Sequence, residues 1–227
     1  MAKDTGFKPQ RQNGKTDGDV PPRTPLQLLN LWRHEGRHLT RWSPASQRIL
    51  SASLSLLLDG LKPLLSPRFT HVKGCGGVKG TVKRLAKQIG AFRFMARFDI
   101  VSYYGSIRHR TLLDLLVKAG VEESLRALVP QYLEVPDPNR TSCGIVAGEA
   151  LSPLLGALYL LPLDDAMKRL VAKDRIYYLR YMDEMVLLAR TRWHLRTAIR
   201  ELIRVTVSMG LEVHQQKRFI SRTDNGG

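Results

Sequence analysis

The strongest constraint on the fold lies near the carboxyl end, in the stretch RYMDEMVLL, residues 180–188. Two runs, 175–181 and 185–189, read as strands with only Met182, Asp183 and Glu184 between them. A connection that short admits an antiparallel hairpin and little else. It also sets two adjacent carboxylates at the hairpin tip, where they repel each other and contribute nothing to core packing.

The elements around this hairpin extend the constraint. Residues 92–100 read as a strand; 110–118 and 122–133 read as helices, the first closed by Gly120. Residues 149–172 read as one long apolar helix despite Pro153 and Pro162, 192–208 as an amphipathic helix, and 211–220 as a final strand or pair. The order predicts an α+β fold: a split βαβ arrangement whose antiparallel sheet is backed by helices on one face. In such a sheet the first strand neighbours the hairpin, so Asp99 would face Asp183 across 84 residues of sequence.

Ahead of this region, Leu26, Leu28, Leu29, Leu31 and Trp32 carry helical periodicity from Pro25. A second helix is marked by Ser43 as N-cap and Pro44 at the first helical position, with a leucine stripe over 49–65 that reads as core. The Gly-rich, basic HVKGCGGVKGTVKRL then reads as a loop entering a short helix that ends near Gly90. Residues 1–24 are polar and poor in large apolar groups, the composition of a disordered tail.

Charge narrows the partner class. Thirty-six Lys and Arg against 20 Asp and Glu leave a net +16, a surplus that suits a polyanion whose counterions are released on binding. No apolar run approaches the roughly 20 residues of a membrane span, and the amino terminus carries no signal-peptide core. Cys75 and Cys143 fit neither a metal nor a disulfide spacing, so a reducing cytoplasm is the expected compartment.

Carboxylates gathered at one sheet edge need cations. Mg²⁺ takes such oxygen ligands and completes its octahedron with substrate phosphates. Two such ions roughly 3.5–4 Å apart would activate an attacking hydroxyl and stabilise the leaving oxygen. On a strongly basic chain this chemistry reads as nucleotidyl transfer.

Five segments in order resemble bacterial reverse transcriptases of the group II intron and diversity-generating retroelement type. HVKGCGGVKG, residues 71–80, is similar to their fingers segment and FDIVSYYGSI, residues 98–107, to motif A. GIVAGEALSPLLGALYLLPLD, residues 144–164, resembles motif B. YLRYMDEMVLLA, residues 178–189, resembles motif C, and GLEVHQQK, residues 210–217, motif D. The resemblance spans about residues 70–222. It implies a helical, basic fingers-like region over 25–92 and a polymerase palm over 93–227, with the thumb missing.

The resemblance also assigns roles. Asp99 and Asp183 would hold Mg²⁺ or Mn²⁺, with Ile100 and Glu184 in the same metal set. Tyr104 would be the aromatic gate that rejects a ribose 2′-hydroxyl, with Ser102 and Tyr103 cradling the triphosphate. Tyr103 and Tyr104 alternate along the chain, so one of them belongs to the core. Lys73 and Lys79 would hold phosphates from the Gly-rich loop. Ala147 and Gly148 would lie against the incoming deoxynucleotide, Tyr181 and Met182 against the primer end. Lys217 would protonate the pyrophosphate leaving group. The implied partners are an RNA template, a DNA or RNA primer, deoxynucleoside triphosphates, and a separate thumb or accessory protein.

Two residues depart from the family pattern. Glu184 stands where motif C has a second aspartate, and Ala147 where motif B has glutamine. An apolar residue in place of that glutamine accompanies low fidelity in the retroelement enzymes. Two other readings share these residues: a degenerate homologue that binds nucleic acid without catalysis, and a template-independent DNA polymerase of a phage-defence type. A separate signature, His34-Glu-Gly-Arg-His38, matches the H-E-x-x-H of zinc proteases if it is helical. Gly36 within that helix, Arg37 beside the would-be metal and the lack of a third ligand favour a basic surface helix instead.

Overall fold

The computed structural model describes residues 25–34, 37–65, 77–134, 141–215 and 218–223. The chain opens with strands β1 (Leu28–His34) and β2 (Arg37–Trp42), paired antiparallel with Arg33 opposite His38 and His34 opposite Arg37. This corrects the expected helix. Leucines 26 and 28, and then 29 and 31, are each two residues apart, the register of β1 shifts between Leu28 and Asn30, and Leu26 and Trp42 are the residues that reach the core. His34 and His38 therefore stand on different strands, and the single helical face a zinc signature requires is not formed.

Helix α1 (Pro44–Leu61) begins as anticipated: the Ser43 hydroxyl accepts from the Ser46 N–H at 3.2 Å, and Pro44 occupies the first turn. Its buried stripe is Leu50, Leu57 and Leu61. Helix α2 (Gly77–Ile89) follows, entered through Gly77 at φ 58°. The Gly-rich segment is thus helical from Gly77 onward, and Lys79 lies in the first turn of α2 rather than on a loop.

Strand β3 (Phe94–Phe98) leads into the single-turn α3 (Tyr103–Ser106), then α4 (His109–Lys118) and α5 (Glu123–Glu134). The apolar run expected as one helix is two, α6 (Ser152–Tyr159) and α7 (Leu161–Val171). Pro162 has no N–H to return to Leu158, so the helix ends at Leu160 and restarts with Pro162 in its first turn. Strands β4 (Ile176–Tyr181) and β5 (Glu184–Ala189) form the hairpin, α8 (Arg192–Ser208) follows, and β6 (Phe219–Arg222) ends the described chain.

The main sheet has the order β4-β5-β3-β6, all antiparallel. Ala96, Phe98 and Ile100 share a buried face with Met185, Leu187 and Ala189, and α8 packs across that side. Arg97 and Asp99 alternate onto the other face. The fold is the expected α+β split βαβ sheet, with its first strand beside the hairpin. No helix among the described residues is long and apolar enough to cross a membrane.

Candidate active site

Register brings the carboxylates together. Phe98 pairs with Met185, so the next residue, Asp99, arrives beside the β4–β5 turn. The Asp99 end is held from its other side: His214 N–H donates to the Asp99 carbonyl at 2.7 Å and Val101 N–H to the Glu212 carbonyl at 2.8 Å. The Asp99 and Asp183 side chains lie within hydrogen-bonding reach of each other. Burial raises the Asp183 carboxyl above the usual carboxylate range, and the nearby charges of Asp99 and Glu184 push it further the same way.

The turn itself is strained. Tyr181 pairs with Glu184, leaving Met182 and Asp183 as a two-residue connection with Met182 at φ 53°. Positive φ at the first central residue alone is the type II′ pattern, which ordinarily takes glycine. Arg180 props it. Its guanidinium is fully buried and donates from Nη1 to the Met182 carbonyl at 2.7 Å. Nε and Nη2 grip the Asp164 carboxylate at 2.9 and 2.6 Å, and the Tyr178 hydroxyl donates to the same carboxylate at 2.7 Å. Burial pushes the Asp164 carboxyl up, against the pull of Arg180. For a bidentate pair of this geometry we hold both groups to be charged.

Tyr103 and Tyr104 divide as alternation requires. Tyr103 is core, its hydroxyl donating to the Gly156 carbonyl at 2.5 Å. Tyr104 is only half-buried, lies tilted by 38° with its ring 5.4 Å from that of Tyr103, and has its hydroxyl pushed up to about 12 by burial, then by Asp183 and Tyr181. A side chain at Gly156 would meet both rings at 3.2 Å, so glycine there lets the two tyrosines sit against α6. Ser102, at φ 45°, begins the turn that carries them.

The loop bearing Ala147 and Gly148 is tied to this turn by backbone. Ile145 N–H donates to the Tyr104 carbonyl at 2.9 Å, and Gly144 N–H to the Ile107 carbonyl at 2.7 Å. At its far end Glu149 accepts from Thr40 and from the Trp42 indole at 3.2 Å, latching the loop to the N-terminal hairpin.

Glu184 does something different from its neighbour. Its carboxylate is paired with Arg97 across the sheet, and both side chains are substantially exposed. Among the described residues no group of three or more His, Cys, Asp or Glu is arranged to hold a metal ion. The fit to a divalent cation therefore rests on Asp99 and Asp183, two carboxylates whose repulsion a cation would relieve. Lys73 and Lys217 lie outside the described residues.

Residues 42–225 match a family profile described as Reverse transcriptase (RNA-dependent DNA polymerase). The chain belongs to the reverse transcriptase family. Solved structures with a similar reverse transcriptase fold include apo telomerase from Candida tropicalis truncated from its C-terminal domain. That match has TM-score 0.62 and 12% identity, covering 87% of this chain and 50% of that one. The apo telomerase of the same organism aligns with TM-score 0.63 and 12% identity over 89% and 45% of the two chains. Telomerase from Candida albicans, in complex with a TWJ fragment of telomeric RNA, aligns with TM-score 0.57 and 12% identity over 77% and 33%. At such identity the likeness concerns the fold, and this reverse transcriptase chain spans half or less of the length of those telomerases. No curated protein matches it in sequence.

Sequence reasoning passed over Asp164, Arg180 and Tyr178 in this reverse transcriptase site. A signal was present: single charges inside the apolar runs LLPLD and YYLRY, which a fold tolerates only when they are paired.

Proposed function

We propose that this chain is an RNA-directed DNA polymerase extending a primer on an RNA template, of the group II intron or retroelement type suggested by its motifs. The observation that carries the reading is the meeting of Asp99 and Asp183 at one sheet edge, beside Tyr104. Mg²⁺ or Mn²⁺ bound there would supply charge stabilisation to nucleophile and leaving group. Asp99 and Asp183 hold that position, with the Ile100 carbonyl as a further donor. Tyr104, half-buried near Asp183, would set its ring against a ribose 2′-hydroxyl and so select deoxynucleotides. Ser102 and Tyr103, in the turn that follows Asp99, would offer backbone N–H groups to the triphosphate, with Ala147 and Gly148 against the incoming nucleotide. Tyr181 and Met182 present the primer side of the turn. Lys79, at the exposed start of α2, together with Lys73 and Lys217, supplies positive charge for phosphates and the departing pyrophosphate.

A second reading, nucleic-acid binding without catalysis, is favoured by one observation: the Glu184 carboxylate is engaged by Arg97. The two readings part on cation binding. Titrating Mn²⁺ and following the loss of its free-ion paramagnetic resonance signal should reveal a site that weakens strongly in Asp99→Asn and in Asp183→Asn. Equal binding by the wild type and both variants would contradict the polymerase reading.

A further inference from the structure

On the helix-covered side of the sheet, away from the carboxylates, α8 and β6 leave an open groove of about 800 Å³. Its α8 wall alternates Arg192, Arg196 and Arg200 with Leu195, Ile199 and Ile203 at helical spacing. Its β6 wall is Arg218, Ile220 and Arg222, which share the face of Ala96 and Phe94 by register. Five exposed arginines thus rim an aliphatic floor, and among the described residues no carboxylate lines the groove. Among the described residues none of the five is in an ion pair with an acid. Ile203, Ile220 and Trp193 remain 37, 47 and 58% exposed.

Exposed aliphatic surface ringed by positive charge that no described acid pairs calls for an occupant that is apolar along its middle and acidic along its edges. The aromatic rings argue against single-stranded nucleic acid, which grips by stacking bases on such platforms. Phe94 already carries the Arg192 and Arg222 guanidinium groups at 5.9 and 5.8 Å, and Trp193 carries that of Arg175 at 5.7 Å. Leu195 to Ile203 covers roughly 12 Å of α8, about the reach of two turns of a second helix lying alongside. We propose that this groove is a docking site for an acidic amphipathic helix of a partner protein. The apolar stripe of that helix packs on the exposed Ile203 and Ile220, above Leu195 and Ile199 at the groove floor, and its flanking carboxylates meet the five arginines. The groove lies on the opposite face of the sheet from Asp99 and Asp183, so one chain can hold this helix and the nucleic acid proposed for the other face at once.

The test uses the full chain and a fluorescein-labelled synthetic peptide of about 18 residues, five helical turns, with leucines on one face and glutamates beside them. Fluorescence anisotropy should show saturable binding that falls roughly tenfold or more in Arg196→Glu/Arg200→Glu, where like charges now meet. Replacing the peptide's leucines by serine, or its glutamates by lysine, should weaken binding comparably. Both arginines are exposed, so melting temperature should be unchanged; if it is not, Arg196→Gln/Arg200→Gln carries the same comparison. Equal binding by the wild type and the charge-reversed chain overturns the proposal. So does indifference to the leucine-to-serine change, which would mark a general attraction between a basic protein and an acidic peptide. A single-stranded RNA oligonucleotide that loses affinity on Arg196→Glu/Arg200→Glu while the peptide does not would assign the groove to nucleic acid instead.

Discussion

Arg180 donates to the carbonyl of Met182 at 2.7 Å while its other nitrogens hold Asp164 inside the protein. The charge that braces the β4–β5 turn is therefore itself anchored at the start of α7, far from solvent. Stability and turn geometry are coupled through one guanidinium. Arg180→Ala would strand the Asp164 carboxylate and should cost about 3–5 kcal/mol of unfolding free energy. Arg180→Met with Asp164→Leu removes both charges and should recover most of that loss in a denaturant titration. The double variant still lacks the donor to Met182, so primer extension should stay well below that of the wild type. Full activity in a stable double variant would show that the brace serves the fold alone.

Met182→Gly tests the strain in the same turn. Methionine at φ 53° pays a steric penalty that glycine does not. Glycine should offset its larger unfolded-state entropy there and stabilise the chain by on the order of 1 kcal/mol. A loss of stability of that size would mean the Met182 side chain contributes contacts that outweigh its backbone.

The raised Asp183 carboxyl makes a pH prediction with a definite sign. Ionised Asp183 costs stability at pH above its raised value, and that cost disappears as the pH falls through it. Asp99→Asn removes a repelling neighbour and keeps a side chain able to donate to Asp183. Without divalent cations the variant should be more stable than the wild type at neutral pH, by about 1 kcal/mol or less given the solvation of the site. Thermal melting curves of the two should converge on acidification. A difference that grows toward low pH would contradict this assignment of the repulsion.

Arg97→Gln should separate surface stability from metal affinity. The Arg97–Glu184 pair is exposed, so its removal should change unfolding free energy by about 1 kcal/mol at most. It also frees Glu184 beside Asp99 and Asp183 and takes away a positive charge. Mn²⁺ affinity should rise. Unchanged affinity would place the Glu184 carboxylate outside the cation's reach even when it is unpaired.

Much of the sheet was legible because hairpins declare themselves locally. Alternation and a short connection located β4 and β5, and register then carried Asp99 to Asp183. The N-cap Ser43 with Pro44 placed α1 for the same reason: the signal is complete within four residues. What failed depended on distant context. The leucines ahead of Trp32 fit a helical period and, across the register shift in β1, a two-residue one, and Trp42 and Leu26 reaching the core chose between them. Pro162 was read as tolerated within a helix, although the missing N–H ends α6 one turn earlier. The Arg180–Asp164 pair joins residues 16 apart through a tertiary contact, and no spacing rule announces it. Glu184 joins Asp183 in the metal set by resemblance, although it departs from the family's aspartate, but cross-strand neighbours decide where its carboxylate goes, and Arg97 is the neighbour.

The central claim, that Asp99 and Asp183 form a working polymerase centre, is tested most directly by primer extension on an RNA template with deoxynucleotides. Mg²⁺ demands near-ideal octahedral geometry, so the longer Glu184 should favour extension with Mn²⁺ over Mg²⁺, and Glu184→Asp should narrow the gap. Asp183→Asn should abolish extension with either metal, because it removes a charge that both ions need. Extension that persists in Asp183→Asn would contradict the account. So would a wild-type chain that extends no primer with either metal and is not rescued by Glu184→Asp with Ala147→Gln.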